Sequence, residues 1–269
     1  MSKQFGLIGS VGACLLLFGG LILFGMYRLS SESNSGPAPK STAAAISKGG
    51  SPMLLIFSKT AGYRHASIEN GIVAIRRLAA EHHVGVEASE DAAVFTNENL
   101  ARYRAVIFLN TTGNILDNDQ KAAFQRYIHA GGGYVGVHSA SDTEHDWAWY
   151  GQLVGAFFSN HPHIAQAIVH VEDPQTSSTS MLPAQWVRTD EWYNFHENPR
   201  AHVHVLLTVD EKTYQGGTMG TDHPIAWYHD FEGGRSWYTA MGHTPDSYSE
   251  PLFLSHLWGG ISYAANLKE

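Results

Sequence analysis

The residue best suited to chemistry is a histidine that follows a short glycine-rich strand. Gly131 to Gly133 end a helical pattern, Tyr134 to Val137 are predicted to form a strand, and His138 comes where that strand must turn. In an open α/β sheet, ligands bind at the carboxyl ends of strands, and a strand–turn–helix elbow directs its turn residue into that crevice. An imidazole can titrate near neutral pH. The pattern predicts that His138 is a catalytic acid or base, or that it only hydrogen-bonds a loop.

Carboxylates and paired histidines elsewhere in the chain indicate two further kinds of chemistry. Glu191, in an acidic and aromatic stretch that starts at Asp190, is a candidate partner for His138 in acid–base catalysis. His161 and His163 flank a proline, and a loop there can bring both imidazoles onto zinc or another divalent ion. Glu191 or His138 would complete that metal site. The competing interpretations are surface acids and solvated histidines.

Other polar and aromatic residues are candidates for binding a substrate. Aromatic rings can stack on sugar faces, although packing in the core is the alternative for each ring. Polar residues that follow predicted strands would lie at the same ligand-binding edge as His138. The candidate substrate-binding residues are Ser58, Lys59, His65, Asn110, Tyr193, Trp227, His229 and His243.

The composition excludes several classes of protein. The only cysteine is Cys14, in an N-terminal apolar run, so the rest of the chain has no disulfide, no thiolate nucleophile and no zinc–sulfur site. The formal net charge of −8 argues against binding to nucleic acid, because nucleic-acid-binding proteins carry basic patches. The 16 histidines and the many aromatic residues suit a metal site or a sugar-binding cleft.

Alternating strands and helices are predicted to position these residues. In the first half of the domain, the sequence predicts strand 52–57, helix 67–83, and strands 84–86 and 103–109. A helix from Asp117, with a capping box to Gln120, and strand 134–137 follow. This order is typical of a mostly parallel sheet with Ser58, Asn110 and His138 on one edge. The second half gives helix 143–153, loop 157–163, strands 166–171 and 203–209, a hairpin of 223–229 with 234–240, and helix 252–266.

The N-terminal segment has the character of a membrane anchor. Phe5–Tyr27 is apolar or small throughout and is long enough to cross a hydrocarbon core of about 30 Å. An uncleaved anchor is the first interpretation and a signal peptide the second. The predicted organisation is therefore an anchor at 1–28, a flexible linker at 29–51 and a domain at 52–269, with the domain on the non-cytoplasmic side.

Five motifs in order resemble the trehalose-utilisation (ThuA-like) family. They are Phe57–His65, Gly131–Ala140, Asp190–Tyr193, His223–Trp227 and Gly234–Pro245. The resemblance implies an α/β fold of the flavodoxin-like, class I glutamine amidotransferase-like type, with three layers. The amidotransferases carry a cysteine at the elbow where this chain has His138, so glutamine hydrolysis through a thioester is excluded. A serine esterase is disfavoured because Gly-x-Ser-x-Gly is absent around Ser139.

The resemblance also implies a carbohydrate context. The first functional hypothesis is an enzyme that acts on a sugar or keto-sugar by proton transfer or hydrolysis. His138 would be the acid or base and Glu191 its partner, with further histidines binding substrate or a zinc-like divalent metal. The second hypothesis is a non-catalytic carbohydrate-binding module held at the membrane. The expected partners are thus a small sugar and the membrane.

Overall fold

The structure, a computed structural model, describes residues 51–267 of the 269-residue chain. The predicted anchor (1–28) and all but the last residue of the predicted linker (29–51) lie outside the described residues. Between residues 51 and 267, no helix is long and apolar enough to cross a membrane. The strands in this range are β1 Met53–Phe57, β2 Gly85–Ser89, β3 Ala105–Leu109, β4 Gly133–Val137, β5 Phe158–Asn160, β6 Ala165–Val171, β7 Gln185–Asp190, β8 Asn194–Phe195, β9 His204–Val209, β10 Pro224–Phe231 and β11 Gly234–Thr239. The helices are α1 Ile68–Glu81, α2 Asn97–Leu100, α3 Asn118–His129, α4 Ala148–Val154 and α5 Pro251–Ala264.

A mixed nine-stranded sheet organises the described residues, in the order β2-β1-β3-β4-β11-β10-β9-β6-β7. The pairings from β2 to β11 are all parallel, and those from β11 to β7 are all antiparallel. The predicted α/β class is confirmed, and the predicted parallel arrangement occupies one half of the sheet. The antiparallel half starts at the β10–β11 hairpin, where Glu232 and Gly233 both have positive φ, as a tight two-residue turn requires.

Helices cover both faces of the parallel half. Successive residues of a strand point to opposite faces, and on β3 Phe108 stacks on Phe124 of α3 with ring centroids 5.3 Å apart. The neighbouring Leu109 faces α1. A Cβ added at Gly71, which lies in α1, would come within 3.0 Å of the Leu109 side chain. On β4, a Cβ at Gly133 would lie 2.2 Å from the carbonyl oxygen of Ala264 in α5. Three layers result, with α1 and α5 on one face and α3 on the other.

The strand order creates a crevice at one edge of the sheet. The chain leaves β1 for β2 on one side and later returns to β3 on the other side, so the winding reverses between β1 and β3. Ligands bind at such switch points, outside the carboxyl ends of the strands. Ser58, Asn110 and His138 directly follow β1, β3 and β4, and the parallel register of those strands puts all three on this edge.

Local signals in the sequence explain where several elements begin and end. The predicted capping box is confirmed, since the Asp117 carboxylate accepts from the Gln120 N–H while the Gln120 side chain accepts from the Asp117 N–H. The predicted helix 143–153 was wrong at its start, because a 3₁₀ turn covers His138–Asp142 and α4 begins only at Ala148. Glu144 interrupts the helix, since its backbone has a φ of 54° and its buried carboxylate accepts from backbone N–H groups of the neighbouring loop.

Two short stretches also differ from the sequence-based prediction. The predicted loop 157–163 contains the strand β5, which pairs with β8 in a separate two-stranded sheet. The edge strand β7 was not predicted. Its inward positions include Arg188 and Asp190, which are buried polar residues, so the stretch lacks the apolar alternation by which a half-buried strand is recognised.

Candidate functional site

The backbone at the end of β4 aims the His138 ring into the crevice. His138 has a φ of 51° and is fully buried, so the chain turns sharply at this residue, in the elbow position that the sequence predicted. Its Nδ1 lies 2.7 Å from the carbonyl oxygen of Ala240. A carbonyl oxygen can only accept, so Nδ1 carries a proton, while Nε2 faces His243 Nδ1 and Glu191 Oε2. Hydrogen bonding of one ring nitrogen in this way is typical of histidines that bind a metal through the other.

Glu191 follows β7 and is surrounded by imidazoles. Its Oε2 lies 3.4 Å from His138 Nε2 and 3.0 Å from His243 Nδ1, and its Oε1 lies 3.0 Å from His161 Nδ1. Burial of Glu191 raises the pKa of its carboxyl group, but hydrogen bonds from His138 and His243 outweigh that effect and hold the pKa well below its usual range. Glu191 is therefore an anion at neutral pH.

His65 and His243 complete the group from two other loops. His65, in the loop after β1, is 4% exposed and packs edge-on against the His138 and His243 rings, with centroids 4.8 and 5.0 Å away. Burial, and then the neighbouring His138 and His243 imidazoles, together lower the pKa of His65 to about 3. His65 is therefore neutral at physiological pH, which is the protonation state that a metal requires of an imidazole ligand.

These four residues form a cluster with the donor set of a metal centre. One ligand atom from each of His65, His138, Glu191 and His243 can be chosen so that all four lie within 4.8 Å of one another. His138 Nε2, His243 Nδ1 and Glu191 Oε2 form a triangle with sides of 3.0, 3.1 and 3.4 Å. A tetrahedral zinc ion with bonds of about 2.1 Å separates its ligand atoms by about 3.4 Å. The spacing and the nitrogen–oxygen chemistry fit zinc or another first-row divalent ion.

A cavity of ≈ 310 Å³ opens beside this cluster. The Tyr193 ring packs against His138, with centroids 4.2 Å apart, and Phe158 packs against Tyr193 at the same centroid distance. Burial raises the pKa of Tyr193 well above its usual value, so its hydroxyl keeps its proton. The residues that line the cavity are Tyr63, His65, Asp142, Phe158, His161, Glu191, Tyr193 and His243.

The structure separates the two histidines that the sequence paired as metal ligands. His161 contacts Glu191 and lines the cavity, but it is not one of the four clustered residues. His163 is exposed and lies neither in the cluster nor in the cavity wall. Of the two histidines, the structure therefore brings only His161 to the cavity beside the cluster, and a metal-binding role for His163 stays a prediction from the sequence.

Three predicted substrate-binding residues are not part of the cavity wall. Ser58 is 1% exposed, and the Lys59 ammonium donates to the carbonyl of Ile115 at 3.1 Å. Asn110 is fully buried and donates to Ser67 Oγ at 2.8 Å and to the Gly242 carbonyl at 3.4 Å. Asn110 holds a loop of the site in place, and the structure gives none of these three a surface on the cavity.

Two further predicted substrate-binding residues lie away from the site. Trp227 on β10 is fully buried, and its indole N–H donates to the Val154 carbonyl at 2.7 Å, so its ring belongs to the core. His229 pairs with Ser236 near the start of β11, whereas the site lies beyond the end of that strand. Neither ring lines the cavity. The sequence predicted the strand correctly but did not show which of its residues face the crevice.

Two further carboxylates of the site were not among the candidate site residues identified from the sequence. Asp142, four residues after His138, lines the cavity and pairs through Oδ1 with His145 Nε2 at 2.9 Å. Asp190 is fully buried beside Glu191. The only sequence signal for either was proximity, since Asp142 closes the turn that His138 starts and Asp190 precedes Glu191.

The sequence and the fold both match a known family. The family model described as "ThuA: Trehalose utilisation" matches residues 53–264, and the chain belongs to this family. A ThuA-like protein from Bacteroides uniformis is 24% identical with a TM-score of 0.69, and the match covers 81% of this chain and 94% of that one. A ThuA-like protein from Parabacteroides merdae is 17% identical with the same TM-score, covering 81% and 91%. No curated protein matches the chain.

Proposed function

We propose that this domain is an enzyme that acts on a sugar or keto-sugar, with a divalent metal held by His65, His138, Glu191 and His243. The observation that carries the proposal is the convergence of three imidazoles and one carboxylate, each from a different loop, within 4.8 Å. A divalent ion at this position would polarise an oxygen atom of the substrate as a Lewis acid.

The surroundings of the cluster support catalysis as well as binding. With Glu191 held as an anion among histidines, it is suited to be a ligand rather than a proton donor. Asp142 lines the same cavity outside the cluster, so it is the carboxylate left to exchange a proton with a bound molecule.

A carbohydrate substrate is supported by the family and by the cavity wall. The family is described by trehalose utilisation. Tyr63, Phe158 and Tyr193 line the cavity, and aromatic rings are suited to stacking on the apolar faces of sugars. Tyr63 is 67% exposed, which leaves its ring accessible to a ligand that reaches out of the cavity.

The direct test is metal analysis of the purified chain together with a screen of trehalose and keto-disaccharides for turnover. We expect about one zinc-like ion per chain, loss of turnover with a chelator, and recovery when the ion is returned. Turnover that survives complete removal of metal would overturn the metal part of the proposal. Sugar binding without turnover in the metal-loaded chain would instead favour the carbohydrate-binding module.

We further propose that Phe5–Tyr27 anchors the domain to a membrane, with the domain on the non-cytoplasmic side. The support is the length of this apolar run in the sequence. The full chain should stay in the membrane fraction through a carbonate wash, because burial of so many apolar residues outweighs surface contacts. A chain that starts at Gly50 is the control and should appear in the soluble fraction. Recovery of the intact full chain from the soluble fraction would contradict the anchor.

A further inference from the structure

A single buried carboxylate connects two of the four clustered residues. Asp190, the last residue of β7, is fully buried. Its Oδ1 accepts from the backbone N–H of Glu191 at 2.9 Å and from that of His243 at 3.1 Å. Glu191 and His243 are far apart in the chain, so this carboxylate holds two separate segments in one geometry.

The other oxygen of Asp190 extends the same connection. Oδ2 accepts from the Gly242 N–H at 2.9 Å, from Arg188 Nη2 at 2.9 Å and from Ser247 Oγ at 3.4 Å. All five partners of the side chain are donors, and each oxygen serves at least two of them. A carboxylate is the one side chain of this size with two acceptor oxygens and no donor.

The Gly242–His243 turn is also held from its opposite side. The Gly242 carbonyl accepts from Ser67 Oγ at 3.2 Å and from Asn110 Nδ2 at 3.4 Å. Gly242 has a φ of 109°, and a Cβ there would lie 2.9 Å from the Tyr248 hydroxyl, so the turn requires glycine. His243 therefore sits on a turn whose N–H groups and carbonyl are all fixed by buried side chains.

Arg188 supplies the positive charge that faces Asp190. Its guanidinium is buried between the Trp186 and Phe253 rings, 4.6 and 4.9 Å from their centroids. Only Nη2 of this group makes hydrogen bonds within residues 51–267, and these go to Asp190 and Ser247. A buried carboxylate needs such a partner, because an uncompensated charge in the interior is strongly destabilising.

We propose that Asp190 is the positioning residue that sets the spacing between Glu191 and His243 and thereby tunes the affinity of the cluster for a divalent ion. This inference rests on the metal site proposed above. Partners that orient metal ligands typically change metal affinity 10–100-fold when they are removed. Asp190 accepts hydrogen bonds from the backbone N–H groups of two proposed ligands, Glu191 and His243, so it fixes the position of both.

The test is zinc titration of the metal-stripped full chain, comparing Asp190→Asn with the unchanged protein. Asparagine has the same shape but one acceptor oxygen, so at least two of the five donors lose their partner and the turn at His243 shifts. We expect zinc binding to weaken about 10–100-fold and the absorption bands of the cobalt-loaded chain to shift. Asp222→Asn is the matched control, since Asp222 also accepts from an arginine but is only half-buried and lies in neither the cluster nor the cavity wall.

Two more variants separate positioning from general loss of stability. The single variant removes the nearer carboxylate partner of the buried Arg188 guanidinium and leaves it facing Glu250 Oε2 at 3.5 Å. Arg188→Gln combined with Asp190→Asn also removes the buried positive charge, so the double variant should retain the fold if the single variant does not, and it should bind zinc as weakly. Leu100→Ala truncates a fully buried side chain far from the site and should lower the unfolding temperature without changing zinc affinity. Unchanged zinc affinity in folded Asp190 variants would overturn the inference alone. Failure of the unchanged protein to bind zinc would overturn the proposed metal site and this inference with it.

Discussion

Replacing Glu191 with glutamine is expected to abolish metal binding and turnover. Glu191 is the only anion in the cluster, and its two oxygens face three imidazoles. Glutamine removes the charge that offsets the ion and turns an amide NH₂ toward at least one of those rings. Removing a residue that only orients metal ligands lowers metal affinity by up to roughly 100-fold. Glu191 would contact the ion directly, so the loss of zinc affinity should be larger than that.

A matched control for this variant is available at the other end of the molecule. Glu232 also accepts from a histidine, His129, and from the Trp149 indole N–H at 2.7 Å, but it is exposed and outside the cluster. Glu232→Gln should bind zinc and turn over substrate like the unchanged protein. Equal zinc affinity in Glu191→Gln and Glu232→Gln would show that the cluster does not hold the ion.

Local sequence signals were sufficient to place the central residue of the site. The apolar stretch before His138 and the glycines that precede it define a strand with a turn at its end, and the capping box at Asp117 defines the helix before it. Both signals act over a few residues, so they can be recognised without knowing the rest of the fold. The parallel winding then determines which strand ends share an edge.

The partners of His138 could not be derived from spacing in the same way. His243 lies 105 positions along the chain from His138, yet their ring nitrogens are 3.1 Å apart. Such a contact depends on how β11 pairs beside β4, which no local pattern specifies. The rule that ligands bind at strand ends brought His65 and His243 into consideration, and the resemblance to the family favoured Glu191. Proximity in sequence favoured His163, which is exposed.

The role of Asp190 could not be recognised from the sequence, because polar side chains occupy the buried face of its strand. On β7 the buried positions are Trp186, Arg188 and Asp190, while Val187 between them is 56% exposed. This arrangement reverses the usual apolar-inward alternation. Buried charges are tolerated where they are paired and hydrogen-bonded, and here they lie directly under the site. The strand that departs most from the expected pattern is therefore the one that supports Glu191.

Replacing His138 with glutamine should reduce turnover by a factor on the order of 10²–10⁴, the range for removal of a general acid or base. Glutamine keeps a comparable size but cannot both donate to the Ala240 carbonyl and present an imidazole nitrogen to the cluster. His256→Gln is the control, since His256 is also fully buried and also bonds a backbone carbonyl through Nδ1, that of Ser178 at 2.8 Å. His256→Gln should keep its turnover once its folding has been verified by thermal unfolding.

The same variant decides how His138 acts. If His138 is a metal ligand, it must be neutral, so His138→Gln should also weaken zinc binding, and a chelator should abolish turnover in the unchanged protein. If His138 instead exchanges a proton with the substrate and no metal is needed, turnover should resist the chelator and zinc affinity should not depend on His138. The proposed metal site predicts the first pair of results. Turnover in His138→Gln equal to that of the unchanged protein would contradict both roles, because either one requires the imidazole at the end of β4.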